Sequence, residues 1–480
     1  MIALSLAEIA AAVDGELHIE ATDASAETVV DGAVTTDSRE IEPGGIFVAK
    51  PGEFDDGHRF APSAVERGAA LLIVETVLHD ERGLDLPVPQ IVVADSVAAL
   101  GALATEVVAR VRALGRLRVV GVTGSNGKTT TKNLLRTVLE RAGETVASRK
   151  SFNNEVGGPI TMLEVTDDTE FLVAEMGASA VGEIARLVRM ARPDVGIVLK
   201  VGLAHAGEFG GIEQTVRAKS EMVTDLLSSD VAVLNADDPR VAGMAALTPA
   251  RVVWFGLGDA ADVRATELVT HARGTEFTIT VERGRAAGQQ ARVRFGVLGE
   301  HHVMNALAAT AAALELGVPL AAIAAALEQV TLAERWRMQV LGGRDGITII
   351  NDAYNASPDS MSAALKTLAQ VQQPGARTIA VLGEMSELGE FSGEEHDRIG
   401  LLAVRLGISQ LVVVGQGARR LHISTINEGS WDGESAFVES ADEAYDLVVS
   451  SARPGDTVLV KSSNSAGLRH LGDRLGEWFA

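Results

Sequence analysis

Residues 119–131 read Val119-Val120-Gly121-Val122-Thr123-Gly124-Ser125-Asn126-Gly127-Lys128-Thr129-Thr130-Thr131. A β-branched run passes into a loop with two glycines, and Lys128 and Thr129 then open a helical pattern. The order strand, loop, helix is that of a phosphate cradle. Gly124 and Gly127 let backbone N–H groups approach phosphate oxygens without a Cβ in the way, the helix N-terminus adds partial positive charge, and Lys128 adds a full one. Thr129 stands where a hydroxyl commonly reaches a Mg²⁺ shared with the phosphates. The usual spacing G-x-x-x-x-G-K-[ST] would put glycine at 122, where this chain has Val122. The stretch therefore reads as a variant phosphate loop; the alternative is a Gly/Ser/Asn turn before an ordinary helix.

Working outward, strand and helix patterns alternate. The apolar runs Phe171 to Ala174, Val195 to Leu199, Val231 to Leu234 and Val252 to Phe255 have buried-strand length, with helical stretches between most of them. That rhythm predicts a parallel sheet covered on both faces, with ligands at the carboxyl ends of its strands. Glu175 and His205 follow two of those ends and could approach the loop's phosphates, although a lone Glu or His after a strand is also a common cap or surface group. Lys219 falls on a helical pattern and by default would be solvated. From about Arg264 to Gly296 the pattern turns to antiparallel hairpins. Gly299-Glu300-His301-His302 then leads into an alanine-rich helix containing Asn305. Adjacent histidines on a helix point about 100° apart, so His301 and His302 read as a cap and its neighbour rather than a metal pair.

Upstream, Thr36-Asp37-Ser38-Arg39, Pro43-Gly44-Gly45 and Asp56-Gly57-His58 cluster polar side chains at turns, suited to sugar hydroxyls or phosphates and equally to turns alone. Downstream, alternation restarts near Trp336. Ile347 to Asn351 runs into Asp352-Ala353-Tyr354-Asn355-Ala356-Ser357-Pro358, where Ser357 is a natural N-cap and Pro358 a first helical residue. Gly415-Gln416-Gly417 begins like a dinucleotide fingerprint, but Arg420 replaces the third glycine, which argues against NAD.

The chain has 480 residues, a formal net charge of -23 and no cysteine. The length predicts about three domains. The charge argues against nucleic-acid partners, and the missing cysteines exclude disulfides and thiolate sites. The N-terminal stretch has the spacing of a short amphipathic helix and no apolar run reaches membrane-spanning length, so a cytoplasmic protein without membrane insertion is expected.

Taken together, TTDSREIEPGGIFVAKPGEFDDGHRF, GVTGSNGKTTTK, SFNNEVGGP, AEMGAS, AHAGEFGG, RAKSEM, LNADD, GEHHVMNALAA, NDAYNASPDSM, LGEMSELG and VKSSNSAGL resemble the Mur ligase family across essentially the whole chain. The resemblance implies an α/β protein of three domains. Residues 1–95 would be a small mixed α/β N-terminal domain binding a UDP substrate. Residues 96–336 would be a central P-loop-type domain, a mostly parallel sheet with helices on both faces, binding ATP. Residues 337–480 would be a Rossmann-like α/β domain closing over the site. It also implies an ATP-dependent amide-forming ligase, and NDAYNASPDSM and LGEMSELG point to the member joining D-alanyl-D-alanine to UDP-N-acetylmuramoyl-tripeptide. Other readings are a sibling adding a diamino acid, whose D-N-P-R signature is not found, and a nucleotide-hydrolysing switch.

The roles the resemblance implies fall on named residues. Gly124, Ser125, Asn126, Gly127, Lys128, Thr129 and Thr130 would cradle ATP, with Lys128 on the γ-phosphate. Thr129 and Glu175 would hold one Mg²⁺ and His205 a second. Lys219 would be the lysine that family members carry as a CO₂-derived carbamate beside the metal. Asn305 would contact adenine, and Asp352, Tyr354 and Asn355 the nucleotide or the closing interface. Asn153 and Asn154 would face the muramoyl peptide, and Ser38, Arg39 and His58 its UDP end. Arg337 would be the linker arginine, with Arg335 as the alternative. A monomer is expected. Three positions depart from the pattern: His302 stands where many relatives have Asn, Asn464 where an arginine is often found, and Pro51 where some have lysine.

Overall fold

The strand that enters the phosphate loop, Arg118–Thr123, is central in the largest sheet because its side chains alternate between two apolar surroundings. In the computed structural model, which describes residues 1–52, 55–80, 82–148, 152–202, 211–332, 334–428 and 431–480, Val119 joins one core cluster and Val120 and Val122 another. The same alternation sends Leu172 and Ala174 one way and Val173 the other, as a strand buried on both faces requires.

Among the described residues this sheet has nine strands, in the order Gln290–Phe295, Gly274–Val281, Val263–His271, Arg251–Gly256, Val231–Asn235, Val195–Val198, Arg118–Thr123, Phe171–Glu175, Thr145–Ala147. Pairing is parallel from Thr145–Ala147 to Val263–His271 and antiparallel across the last two strands, which are the expected hairpins. Helices Lys128–Leu139, Glu300–Glu315 and Leu320–Leu327 cover one face, and Glu183–Ala191 and Ile212–Thr224 the other.

Toward the N-terminus, a five-stranded sheet runs Glu16–His18, Gln90–Val92, Leu71–Val74, Ile46–Val48, Val34–Thr35. The expected N-terminal helix is Leu6–Ala12, closed by a capping box between Ser5 and Glu8. Helix Ser96–Ala113, capped by Asp95, buries Leu100, Leu103, Val107 and Val111 in a cluster that includes Ile46, Leu71 and Ile91 on one side and Val119, Leu172 and Leu187 on the other. One continuous core thus joins the first sheet to the second.

After Trp336 a six-stranded sheet runs Gln339–Gly342, Thr348–Asn351, Thr457–Lys461, Thr378–Leu382, Gln410–Val414, Glu434–Val438, parallel except for its first pair. The strands Gln339–Gly342 and Glu434–Val438 lie at the two edges and are half-exposed, which is why no continuous apolar run marks them in the sequence. Ser357 does cap helix Pro358–Gln370, with Ser360 completing the box. Three mixed and mostly parallel α/β units in series are therefore observed. No described helix is long and apolar enough to cross a membrane.

Helix Lys128–Leu139 holds the phosphate loop through Leu135, which is fully buried. Leu135→Ala is expected to lower unfolding free energy by about 2–5 kcal/mol, read as a lower urea midpoint with an unchanged denaturant slope.

Candidate functional site

The loop between Thr123 and Lys128 takes its shape from two glycines. Gly124 has φ +152° and Gly127 φ +89°, conformations that a Cβ disfavours. Gly127 also leaves room for helix Glu300–Glu315, since a Cβ there would sit 2.3 Å from Asn305 Oδ1. Gly127 is the N-cap of Lys128–Leu139 and supplies no side-chain cap, so the positive end of that helix meets the loop without a capping side chain. Ser125 ties the loop to the neighbouring strand end: its N–H donates to the Lys200 carbonyl at 2.7 Å, and its hydroxyl accepts from Gly202 N–H at 3.0 Å.

Lys128 Nζ donates to the Gly124 carbonyl at 2.8 Å. Burial pulls its pKa down and Arg337 adds to that, while Glu175 opposes both. Glu175, the last residue of Phe171–Glu175, accepts through Oε1 from the Thr129 hydroxyl at 3.2 Å and from Asn153 Nδ2 at 2.9 Å. Its Oε2 is buried with no hydrogen-bond partner among the described residues.

One cavity gathers Ser125, Asn126, Gly127, Lys128, Thr129, Thr130, Asn153, Glu175 and Asn305 from the central unit with Arg337, Asp352, Tyr354 and Asn355 from the chain that follows it. The two candidate arginines separate here. Arg337 lines the cavity, stacks over the Tyr354 ring at 4.3 Å, and has a buried Nε without a partner among the described residues. Arg335 is 62% exposed, stacks over Trp336 and pairs with Asp473 at 2.9 Å. Asp352 accepts from Met338 N–H through Oδ1 at 3.0 Å and from Lys461 Nζ through Oδ2 at 2.7 Å.

The remaining expected residues lie elsewhere. Asn154 does not line the cavity; its Oδ1 accepts from Val156 and Gly157 N–H at the start of helix Gly157–Met162. Lys219 is buried rather than solvated, because Ile212–Thr224 packs that face inward. Burial, reinforced by Lys128, brings its pKa down to about 7. Ser38, Arg39 and His58 are in the N-terminal unit, away from the cavity lining. Arg39 is exposed and forks onto Asp37 at 2.9 and 2.6 Å. His58 faces Asp56 through Nδ1 at 2.6 Å and accepts from Glu75 N–H through Nε2 at 2.8 Å. His205 lies outside the described residues.

Sequence reasoning missed His301, His302, Ser357, Ser360 and Lys461, all of which line the cavity. The expectation that His301 is a helix cap is corrected. Gly299, at φ +99°, is the N-cap, and both imidazoles sit in the first turn with ring centroids 4.3 Å apart. Burial pushes the His301 pKa down to about 4 and that of His302 well below its usual value, so both are neutral near pH 7.

A magnesium ion fits these donors. Thr129 and Glu175 present oxygen ligands 3.2 Å apart, and the orphaned Glu175 Oε2 needs a cation or donor. No cluster of three or more His, Asp or Glu side chains suited to a metal occurs among the described residues, as expected where phosphates and waters complete the shell.

Family models match in chain order: "Mur ligase family, catalytic domain" at residues 32–110, "Mur ligase middle domain" at 122–313 and "Mur ligase, glutamate ligase domain" at 336–464. The chain is 44% identical, over 99% of its length and 98% of the relative's, to the UDP-N-acetylmuramoyl-tripeptide–D-alanyl-D-alanine ligase of Mycobacterium bovis. The chain belongs to the Mur ligase family. Its identity to the ligase of the same name from Escherichia coli is 33% over 98% of both chains. Among solved structures, a MurF crystal structure from Acinetobacter baumannii superposes with TM-score 0.86 at 32% identity and 99% coverage of both chains. MurF from Thermotoga maritima, solved in complex with ADP, gives TM-score 0.79 at 26% identity over 94% of this chain and 99% of that one. The three-unit architecture is that of this Mur ligase fold.

Arg337→Ala is expected to weaken ADP binding roughly tenfold or more, while Arg335→Ala leaves it within about twofold, since only the former removes a cation that lines the cavity. Isothermal titration of both variants with ADP checks this.

Proposed function

We propose that this chain is an ATP-dependent carboxylate–amine ligase that joins D-alanyl-D-alanine to UDP-N-acetylmuramoyl-tripeptide, giving the UDP-linked pentapeptide, ADP and phosphate in peptidoglycan synthesis. The observation that carries the reading is the full-length match at 44% identity to a ligase of that name. The cavity's donors suit the chemistry. A carboxylate does not acylate an amine unaided, because its leaving group would be oxide. Transfer of the γ-phosphoryl group from ATP makes an acyl phosphate, and the dipeptide amine then expels phosphate through a tetrahedral intermediate.

Lys128 and the N–H groups from Asn126 to Thr130 would hold the phosphates, exchanging the Lys128–Gly124 contact for a charged partner. Thr129 and Glu175 would hold Mg²⁺, which when bound neutralises charge developing on the transferred group. Asn305 and Arg337 would flank the nucleoside and its phosphates. Asp352, Tyr354 and Asn355 would close the cavity from the third unit and keep water from the acyl phosphate. Asn153 and Asn154 are assigned to the muramoyl peptide, and Ser38, Arg39 and His58 to the UDP end. Boundaries near residues 95 and 336 would separate the UDP, ATP and dipeptide units of a monomeric, cytoplasmic enzyme. A second Mg²⁺ is assigned to His205.

Lys128→Ala is expected to abolish ligation while the circular-dichroism spectrum and melting temperature stay close to those of the parent. ADP release by the parent should require both UDP-N-acetylmuramoyl-tripeptide and D-alanyl-D-alanine; release that ignores either substrate would point to a nucleotide-hydrolysing switch instead.

Lys219 is proposed to carry a carbamate. Its buried amine, with a pKa near 7, is substantially neutral at physiological pH, and a neutral amine adds CO₂ with loss of one proton to give an anion that can face a metal. A ¹³C NMR carbamate signal should appear when the protein is equilibrated with ¹³C-bicarbonate. It should grow as pH rises through 7 and be missing in Lys219→Met.

A further inference from the structure

The residues on either side of Arg337 hold backbone conformations that bulky side chains rarely adopt. Trp336 has φ +60° and Met338 φ +49°, in the left-handed region where a Cβ crowds the following carbonyl oxygen. Such strain persists only where the surroundings over-determine it. Trp336 is held at three points. Its indole Nε1 donates to both Asp473 carboxylate oxygens, at 2.9 and 3.1 Å, its N–H donates to Gln339 Oε1 at 3.0 Å, and its carbonyl accepts from Tyr354 N–H at 3.1 Å. The guanidinium groups of Arg335 and Arg469 lie over its ring, 4.6 and 5.3 Å from the centroid. Met338 is pinned as well: its N–H donates to Asp352 Oδ1 at 3.0 Å, and its side chain is buried in the core of the C-terminal unit.

These anchors belong to the C-terminal unit. Asp473, on helix Arg469–Trp478, also accepts from Asn351 Nδ2 at 3.0 Å, which ties that helix to the strand Thr348–Asn351 that leads into Asp352 and Tyr354. Arg337, between the two strained residues, faces the central unit instead. It lines the cavity with Lys128, its charge helps to lower the Lys128 pKa, and its own Nε is buried without a partner among the described residues. Two cations facing one another repel, so a guanidinium on a freely rotating linker would swing toward solvent. A rigid mount keeps it in the cavity.

We propose that Trp336 is a positioning residue for the nucleotide: locked to Asp473 and Tyr354, it fixes the linker bend that aims Arg337 into the cavity, so that the C-terminal unit and not the central one presents this arginine. The inference rests on the reading of Arg337 as a nucleotide contact.

The test measures ADP affinity by isothermal titration, and melting temperature beside it, for the full chain and for Trp336→Ala, Arg337→Ala and the double variant. Trp336→Ala is expected to weaken ADP about fivefold in the parent but less than about twofold once Arg337 is replaced, because residues that act through one another are not additive. Equal weakening in both backgrounds would overturn the inference, since Trp336 would then act independently of Arg337. Unchanged ADP affinity in Trp336→Ala would overturn it too, whatever the melting temperature, and would leave Trp336 a merely structural residue. If Trp336→Ala does not fold, Trp336→Phe keeps an aromatic ring without the N–H that Asp473 accepts, and the same cycle is run with it. Unchanged ADP affinity in Arg337→Ala would instead overturn the nucleotide-contact reading on which the inference rests.

Discussion

Buried positive charge with too little negative charge beside it is the constraint around which this molecule is arranged. Three cations, Lys128, Arg337 and Lys461, line the cavity with two carboxylates, Glu175 and Asp352, among the described residues, and Asp352 is taken by Lys461 at 2.7 Å. Four buried polar atoms of the cavity lining have no hydrogen-bond partner among the described residues: Glu175 Oε2, Asn126 Nδ2, His302 Nδ1 and Arg337 Nε. An unsatisfied buried group costs about 1–3 kcal/mol, so a fold selected only for stability would have paired or removed them. A polyanion with a divalent cation would satisfy the set together. The rest follows from where such a ligand can reach: the carboxyl ends of parallel strands, beside an uncapped helix N-terminus.

The C-terminal unit meets the central one through polar contacts and through Leu298, which is buried in the C-terminal unit's core. The Ser357 hydroxyl donates to Asn126 Oδ1 at 3.2 Å, and Lys200 pairs with Asp359 at 3.1 Å. Lys200 and Asp359 are partly exposed, and such pairs contribute about 0–1 kcal/mol. The N-terminal unit, by contrast, shares a continuous apolar cluster with the central sheet through Leu100, Leu103 and Val107. One junction is therefore a continuous apolar core, and the other mixes polar contacts with the buried Leu298. An enzyme that must admit a nucleotide and then shield an acyl phosphate from water needs its movable joint at the second.

Much of this was legible in sequence. The phosphate loop, the strand runs that follow it and the Ser357-Pro358 cap are local patterns, and local patterns survive without tertiary knowledge. What was illegible depends on packing. Lys219 and Lys132 look like solvated helix lysines until the helices bearing them are turned inward. His301 looked like a cap because nothing in Gly299-Glu300-His301-His302 reveals that Gly299 takes φ +99° and starts the helix earlier. Arg335 and Arg337 are two residues apart and chemically identical; only Asp473 on one side and Tyr354 on the other distinguish them. Lys461 shows no role within VKSSNSAGL, since its partner Asp352 is 109 residues away.

The buried histidines show how a chain of net charge -23 can still attract an anion without excess buried charge. Beyond about 8 Å at physiological ionic strength, exposed charges are largely screened, so the acidic surface matters less at the cavity than the groups lining it. Further cations there would repel Lys128 and Arg337 and push their own pKa values down. Burial instead holds His301 and His302 neutral, with Lys461 opposing protonation of both. A neutral imidazole still offers one donor and one acceptor in fixed directions. Charge is thus left to lysine and arginine, and directional hydrogen bonding to histidine and asparagine. Both kinds of group line the same cavity.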